Sequence, residues 1–258
     1  MTRYGRYRVA FQAILFKEIL RFLRIWIQTV LPPVITTTLY YVIFGNLIGQ
    51  RIGQMEGFDY IDFIVPGLIL MAVITNSYAN VVSSFFSSKY QRHVEELLIS
   101  PVPNWVILAG YVGGGVARGL VVGVAVTGVS LFFTDLSIHS YGWTLAVFVL
   151  TSILFALAGF INAIFANSFD DISIVPTFVL TPLTYLGGVF YSIQMLPTVW
   201  QKVSLANPVL YMVNTFRYGL LGVSDIPIGL ALSIILLFIV VLTAYSLVLL
   251  QRGVGIKS

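Results

Sequence analysis

Near its C-terminus the sequence has an apolar stretch, residues 227–250, that is long enough to cross a lipid bilayer and contains no charged side chain. Five further apolar stretches of spanning length precede it: 26–46, 61–86, 105–133, 142–166 and 172–192. Six such stretches in 258 residues leave little room for a soluble domain. The pattern predicts an all-α polytopic membrane protein with six transmembrane helices.

The composition supports a lipid environment. Hydrophobic residues make up 58% of the chain and charged residues 9%, against about 25% charged in ordinary soluble domains. The small net charge of +4 comes from basic residues that lie beside apolar stretches, so membrane lipid is the expected anionic partner and nucleic acid is not. The absence of cysteine excludes disulfides, thiolate metal sites and cysteine nucleophiles.

Residues 4–24 precede the first apolar stretch and have a two-sided pattern. Apolar side chains recur at helical spacing at Leu15, Ile19, Phe22 and Trp26. The opposite face carries Lys17, Arg21, Arg24 and Gln28. This pattern predicts a helix lying in the membrane interface, with its cations towards lipid phosphate. The following stretch has no small-residue cleavage site, so we expect it to be retained as a span.

The distribution of Lys and Arg predicts the orientation, because short cytoplasmic loops carry an excess of them. With both termini cytoplasmic, ten cations lie inside: Arg3, Arg6, Arg8, Lys17, Arg21, Arg24, Lys89, Arg92, Arg252 and Lys257. Three lie outside: Arg51, Lys202 and Arg217. The remaining cation, Arg118, lies within the third predicted span.

Residues 193–224 are apolar but interrupted by Pro197, Lys202, Asn207 and Pro208. This segment is too broken for a seventh span. We predict a re-entrant external helical hairpin before the sixth span, which is tolerable in lipid only where it packs on other protein.

A second cytoplasmic segment, about 88–102, begins with charged residues, becomes apolar and ends at Pro101 and Pro103. Proline cannot continue a helix, so we predict a short amphipathic helix with a fixed end. Two interpretations stay open: a solvated loop helix, or a docking surface. In the second, charged and apolar side chains meet a cytosolic partner: Arg92, Glu95, Glu96, Leu97, Leu98 and Ile99.

Several segments together resemble the type 2 ABC (ABC-2) transporter permeases, in particular small bacterial permeases that work with a separately encoded ATPase. They are RHVEELLISPVP at 92–103, PTFVLTPLTYLGGVFYS at 176–192, LP at 196–197, Trp200, NPVLY at 207–211 and Arg217. The resemblance covers essentially residues 1–258 as one transmembrane domain.

The resemblance implies a coupling helix after the second span and a dimer of permeases on two cytosolic ATPase subunits. ATP-driven closure of the ATPases would then push on the coupling helix and on the interfacial helix. The residues expected to couple to the ATPase are Arg92, Glu95, Glu96, Leu97, Lys17 and Arg21.

The chain has no nucleotide-binding loop of its own. An ATPase needs G-x-x-x-x-G-K-[ST] to wrap phosphate, and the closest segments, VGGGVARG at 112–119 and GVGIKS at 253–258, have the wrong spacing. We therefore expect ATP and Mg²⁺ on the partner chain, and no cofactor or catalytic residue here. The two histidines, His93 and His139, are too far apart in sequence to propose as a metal pair.

The third predicted span carries a stripe of small residues, Gly110, Gly114, Gly115 and Gly119. Such stripes let helices approach closely in lipid, and the packing is either static or slides during transport. Arg118 lies in the same stripe. It is either a functional intramembrane charge or a cation that reaches phosphate or pairs with Asp170 or Asp171.

The fifth predicted span starts at Asp170 and Asp171, which can cap its first turn. Pro176 and Pro182 weaken its backbone hydrogen bonding. Aromatic side chains near the external ends of the first and fifth spans are either interfacial anchors or part of a substrate path: Tyr40, Tyr41, Phe44, Tyr185, Phe190 and Tyr191.

Together these observations favour the permease subunit of an ATP-driven exporter in the bacterial cytoplasmic (inner) membrane, not an enzyme. An interior with few charges favours an amphiphilic or lipid-linked substrate. The alternatives are a non-transporting membrane scaffold, which would also use a docking helix, and an ion-coupled transporter, which would carry more intramembrane charge.

Overall fold

The computed structural model describes residues 3–255, so Lys257 of the predicted cytoplasmic tail lies outside the described part. Helices dominate. The first half contains α1 (Arg3–Arg24), α2 (Trp26–Thr29), α3 (Leu31–Tyr40), α4 (Gly49–Ile52), α5 (Tyr60–Tyr90), α6 (His93–Ile99) and α7 (Asn104–Ser130). The second half contains α8 (Tyr141–Phe165), α9 (Asp171–Val175), α10 (Thr181–Tyr185), α11 (Thr198–Leu205), α12 (Pro208–Leu221) and α13 (Ile228–Arg252).

Within residues 3–255, five helical runs are long and apolar enough to cross a membrane: Trp26–Ile52, α5, α7, α8 and α13. They correspond to the first, second, third, fourth and sixth predicted spans. The first run is interrupted at Val30 and contains the π-helical segment Tyr41–Ile48 between α3 and α4. The chain is therefore an all-α polytopic membrane protein.

The predicted fifth span, 172–192, is a shorter and irregular helix. It runs through α9, a π-helical segment Pro176–Leu180, and α10, and ends at Tyr185. Pro176 and Pro182 have no amide hydrogen, so the regular ladder of hydrogen bonds cannot continue through them. The amide of Thr181 instead reaches back five residues to the carbonyl of Pro176. That residues 172–192 cross the membrane, which would bring the number of spans to six, therefore stays a prediction.

The core lies between α5, α7 and α8. Phe85 of α5 packs against Phe160 of α8, with ring centroids 4.3 Å apart, and against Tyr111 of α7 at 5.1 Å. Glycines permit this close approach. A Cβ on Gly115 would lie 2.5 Å from Cγ2 of Val81, and one on Gly110 would lie 2.5 Å from Cγ2 of Ile14. Helix α7 thus packs on α1 with one side and on α5 and α8 with another.

The faces of helix α1 follow the predicted division in part. Phe22 of the predicted apolar face is buried, and Lys17 and Arg24 of the predicted basic face are exposed. Glu18 is also buried, while Phe16 and Leu20 are exposed. That the helix lies in the membrane interface stays a prediction.

On the predicted external side, a small antiparallel hairpin, Gln54–Met55 with Phe58–Asp59, joins the first run to α5. Its turn residues Glu56 and Gly57 both have positive φ angles, 51° and 85°, the geometry of a two-residue hairpin turn.

The segment predicted as a re-entrant hairpin forms a 3₁₀ turn, Ile193–Met195, followed by α11 and α12. Asn207 starts α12: its Oδ1 accepts from the amide of Val209 at 2.9 Å, and its Nδ2 donates to the carbonyl of Leu183 at 2.6 Å. The depth of these helices in a bilayer stays a prediction.

Arg217 in α12 is 1% exposed. It donates to the carbonyl of Gly188 at 2.6 Å, and its guanidinium lies 3.8 Å from the ring centroid of Phe63. Arg217 is therefore buried within the bundle, although it was counted among the external cations. The predicted orientation of the chain stays a prediction.

Candidate functional site

The helix α6 projects from the end of α5. Arg92 separates the two helices with a left-handed backbone, φ 63°, a conformation that few non-glycine residues adopt. Val94 fixes α6 to the bundle, since its side chain is 0% exposed. Arg92 and Glu96 are exposed, and Glu95 is half-buried. This arrangement presents two carboxylates in the first turn, where they interact favourably with the helix dipole.

The apolar side chains of α6 divide between the bundle and the surface. Leu97 and Leu98 are half-buried against the core of this chain, whereas Ile99 is 86% exposed. The helix ends at Ile99, before Pro101 and Pro103. Ile99 is therefore the apolar side chain of α6 most available to a partner, and Leu97 contributes only its remaining surface.

The end of α5 is tied to the end of α8. Lys89 donates from Nζ to the carbonyls of Ile164 and Ala166, at 2.6 and 2.7 Å. A cation at a helix C-terminus satisfies carbonyls that have no partner within the helix. A push on α6 would reach α8 through this contact.

Asp171 lies in the first turn of α9. Its Oδ2 accepts from the amides of Asn167 and Ser168, at 2.8 and 3.0 Å, and its own amide donates to Oγ of Ser168 at 3.2 Å. These hydrogen bonds, that of Asn167 foremost, hold the pKa of the Asp171 carboxyl below its usual range. The exchange with Ser168 has the pattern of a capping box. Asp170 makes no side-chain cap, so the predicted capping holds for Asp171 and is wrong for Asp170.

The two α1 cations predicted to contact the ATPase have different surroundings. Lys17 is exposed, with Nζ 5.7 Å from the ring centroid of Tyr111. Arg21 points into the bundle and donates to the carbonyl and Oδ1 of Asn80, at 2.8 and 2.9 Å. Of the pair, only Lys17 is free to meet a partner.

Glu18 is a buried acid that the sequence analysis missed. It is 0% exposed. Its Oε1 accepts from the hydroxyl of Ser84 at 2.6 Å, and its Oε2 lies 3.5 Å from Nε of Arg21. The signal was present as an acid and a base three residues apart on one helix, a spacing that places both on the same face.

Arg118, near the middle of α7, donates from Nη2 to Oδ1 of Asn76 at 3.0 Å. Within residues 3–255 no carboxylate lies within 4.0 Å of its nitrogens, so the suggested pairing with Asp170 or Asp171 is wrong. Arg118 lines an open groove of about 330 Å³ between Trp26–Ile52 and α5. Hydroxyl and amide side chains share the lining: Gln28, Thr29, Thr36, Thr37, Thr75 and Asn76.

Four of the predicted aromatic side chains form one cluster. Phe190 lies 4.9 Å from Phe44 and stacks on Tyr185 at 5.7 Å, measured between ring centroids. The hydroxyls of Tyr40 and Tyr185 lie 3.1 Å apart. Tyr40 also lines the groove beside Arg118. Tyr191 is half-buried outside these ring contacts, and Tyr41 is buried against Phe133.

Comparison with known proteins decides the family. The profile described as ABC-2 type transporter matches residues 9–221. The chain belongs to the ABC-2 type transporter family. Full-length similarity supports the match: the chain is 60% identical over 252 residues to the inner membrane transport permease YadH of Escherichia coli (strain K12), with 98% of each chain covered.

More distant relatives include nodulation protein J of Sinorhizobium fredii (strain NBRC 101917 / NGR234), 26% identical, with 84% of this chain and 82% of that protein covered. Nodulation protein J of Rhizobium leguminosarum bv. viciae is 22% identical, with 88% of each chain covered. This ABC-2 type chain is therefore a membrane permease of an ABC transporter.

Proposed function

We propose that this chain is the permease subunit of an ATP-driven exporter in the bacterial inner membrane, with both termini cytoplasmic. Two copies would assemble with two copies of a separate cytosolic ATPase, which binds ATP and Mg²⁺. The family match and the similarity to a protein named an inner membrane transport permease support this proposal.

The observation that carries the proposal is the geometry of α6. This short helix presents Arg92, Glu95, Glu96 and Ile99 at the end of the long helix α5. Val94 fixes α6 to the bundle on its inner side, and Lys89 ties the end of α5 to the end of α8. A helix that is exposed on one side and rigidly attached on the other can transmit a push from a bound partner into α5 and α8.

The surface of the bundle favours membrane lipid as a further partner. Large apolar side chains are exposed along α13, including Leu237, Val240 and Val241. Such a surface would aggregate in water but is stable in hydrocarbon. The groove beside Arg118, the aromatic cluster around Phe190 and the weakly charged interior favour an amphiphilic or lipid-linked cargo over a highly charged one.

Charge reversal on α6 tests the ATPase contact. We expect Glu96→Lys to weaken co-purification of the cognate ATPase in mild detergent by at least about tenfold, because a like charge placed at an interface repels its partner. Asp135→Lys is the matched control. It reverses another exposed carboxylate, in the predicted external turn between α7 and α8, and should leave co-purification unchanged.

Loss of the ATPase from both variants would indicate a general folding defect, and equal retention by both would remove α6 from the interface. If the unaltered chain binds no ATPase, the exporter proposal fails and the scaffold or ion-coupled alternatives take its place. If it binds one that hydrolyses ATP without moving substrate in reconstituted vesicles, the scaffold is favoured.

A further inference from the structure

The charges that lie against one stretch of α5 do not balance. Glu18 supplies one negative charge, and Arg21 lies against it at 3.5 Å. Arg118 adds a second positive charge with no carboxylate in reach among residues 3–255. The two cations contact α5 one turn apart, since Arg21 bonds to Asn80 and Arg118 bonds to Asn76. In this part of the bundle one positive charge is therefore left over.

The hydrogen-bonding capacity of Arg118 is also largely unused. A guanidinium has five N–H donors, and within the described residues Arg118 donates only to Asn76. Its Nε is buried without a hydrogen-bond partner. Arg118 is partly buried, and a charge that is withdrawn from water without a counter-ion is costly. An anion that reached Arg118 would therefore gain both the Coulomb attraction and the free donors.

The groove gives an anion access to Arg118. It is open, and its volume of about 330 Å³ is comparable with the smallest small-molecule pockets, about 300 Å³. Gln28 and Thr36 lie on its exposed rim, while Pro32, Met71 and Ala72 add apolar lining. This mixture suits a polar headgroup whose acyl chains extend beyond the groove.

We propose that the groove beside Arg118 binds the phosphate-bearing headgroup of an anionic amphiphile. The guanidinium pairs with phosphate oxygens, and the acyl chains stay along the apolar surface of the first helical run. This inference rests on the proposed function and adds a substrate class to it. Because the site lies within one chain, its ligand binding can be measured without the ATPase.

The experiment compares three probes on the purified full-length chain in detergent: dioleoylphosphatidylglycerol, dioleoylglycerol and inorganic phosphate. Native mass spectrometry measures how much of each is retained. We expect phosphatidylglycerol to bind and dioleoylglycerol not to bind. Arg118→Gln should weaken phosphatidylglycerol binding by about tenfold, and Arg118→Lys should restore part of it. Arg252→Gln, which neutralises an exposed cation at the end of α13, should bind as the unaltered chain does.

A second variant covers the case in which Arg118→Gln does not fold. Thr75 is exposed and lines the same groove, so Thr75→Asp supplies a carboxylate beside Arg118 without removing a buried group. It should reduce phosphatidylglycerol binding as strongly as Arg118→Gln does. Size-exclusion profiles establish that each variant is monodisperse.

The outcomes separate the sources of the anion. Equal binding of dioleoylglycerol, or unchanged binding by both Arg118→Gln and Thr75→Asp, overturns the site. If inorganic phosphate binds as tightly as phosphatidylglycerol and displaces it, the proposal of an amphiphilic ligand is overturned. The groove is then a site for free phosphate. A chain that binds phosphatidylglycerol through Arg118 but binds no ATPase would keep this site while the exporter proposal fails.

Discussion

Lys17 and Arg21 lie four residues apart on α1, but their surroundings differ. We therefore expect their replacement to affect stability differently. Arg21 is 32% exposed at its side chain and lies against the buried carboxylate of Glu18. Removing it leaves Glu18 with only the Ser84 hydroxyl. We expect Arg21→Met to lower the free energy of unfolding by about 3 kcal/mol, because an uncompensated buried charge remains.

Lys17→Met is the matched control, since Lys17 is an exposed cation on the same helix. It should change the free energy of unfolding, measured by thermal unfolding in detergent, by less than about 0.5 kcal/mol. A double variant, Glu18→Leu with Arg21→Met, should recover much of the loss, because it removes both charges together. Equal destabilisation by the two single variants would contradict the assignment of Arg21 to the interior.

The external hairpin contains a carboxyl group with an altered pKa. Burial raises the pKa of Glu56, and the nearby carboxylate of Asp225 raises it further, while Ser192 and Arg217 oppose this. A raised pKa means that the contribution of Glu56 to stability is present in full below its ordinary pKa. That contribution is lost as the pH rises through the folded-state value.

We therefore expect Glu56→Gln, which mimics the protonated form, to be more stable than the unaltered chain at about pH 8 and equally stable at about pH 4. Thermal unfolding of both proteins across this range measures the difference. Asp225→Asn should reduce this difference in stability, since the charge that repels Glu56 is gone. A difference that grows towards acid would show that the pKa of Glu56 is lowered instead.

At the scale of helices, α7 offers two glycines with contrasting surroundings. A Cβ on Gly115 would lie 2.5 Å from Val81 Cγ2 and 2.9 Å from Ala156 Cβ, whereas a Cβ on Gly128 meets nothing within 4 Å. Gly115→Ala should cost about 2 kcal/mol through overpacking between α5, α7 and α8. Gly128→Ala should be neutral or stabilise by up to about 1 kcal/mol, because alanine favours helix.

Thermal unfolding of the two variants in one detergent compares them directly, since the chemical change is the same. Loss of ATP-driven transport by Gly115→Ala with unchanged stability would instead favour the interpretation in which the glycine stripe slides.

Helix positions follow from the sequence because a span must be long and uncharged whatever it packs against. The faces of those helices do not follow as readily. In water, apolar residues mark the buried side, but α1 buries Glu18 and exposes Phe16 and Leu20, as expected where the outside is apolar. The fifth predicted span is irregular for a reason that its sequence does show: the prolines weaken its backbone hydrogen bonding, as predicted, and the helix is π-helical at Pro176–Leu180.

For the candidate site, too, the sequence predicts positions along the chain better than contacts. Proline stops and charge predict a short helix at about 88–102, and α6 occupies only His93–Ile99 of that range. Only the three-dimensional structure separates Leu97, against the core, from Ile99 at the surface. Arg118 was recognisable as an unusual intramembrane charge. Its partner Asn76 was not, because asparagine in an apolar helix has many possible partners and spacing does not select one.

At the scale of the whole molecule, the two least buried helical runs differ in polarity. The exposed side of α13 is apolar, with Leu236, Leu237 and Val240. The run Trp26–Ile52 exposes Gln28 and Thr36 beside the groove. Polar groups facing lipid lack hydrogen-bond partners, so a second copy gains more by covering the first run than by covering α13.

Because the chain contains no cysteine, single cysteines can locate the contact between copies. We expect Thr36→Cys to form a disulfide-linked dimer when membranes are oxidised, since the first runs of two copies would face each other across their grooves. Leu237→Cys, at an equally accessible position on α13, should stay monomeric because lipid separates it from its counterpart. Cross-linking at Leu237 and not at Thr36 would place α13 at the interface and leave the Arg118 groove facing lipid.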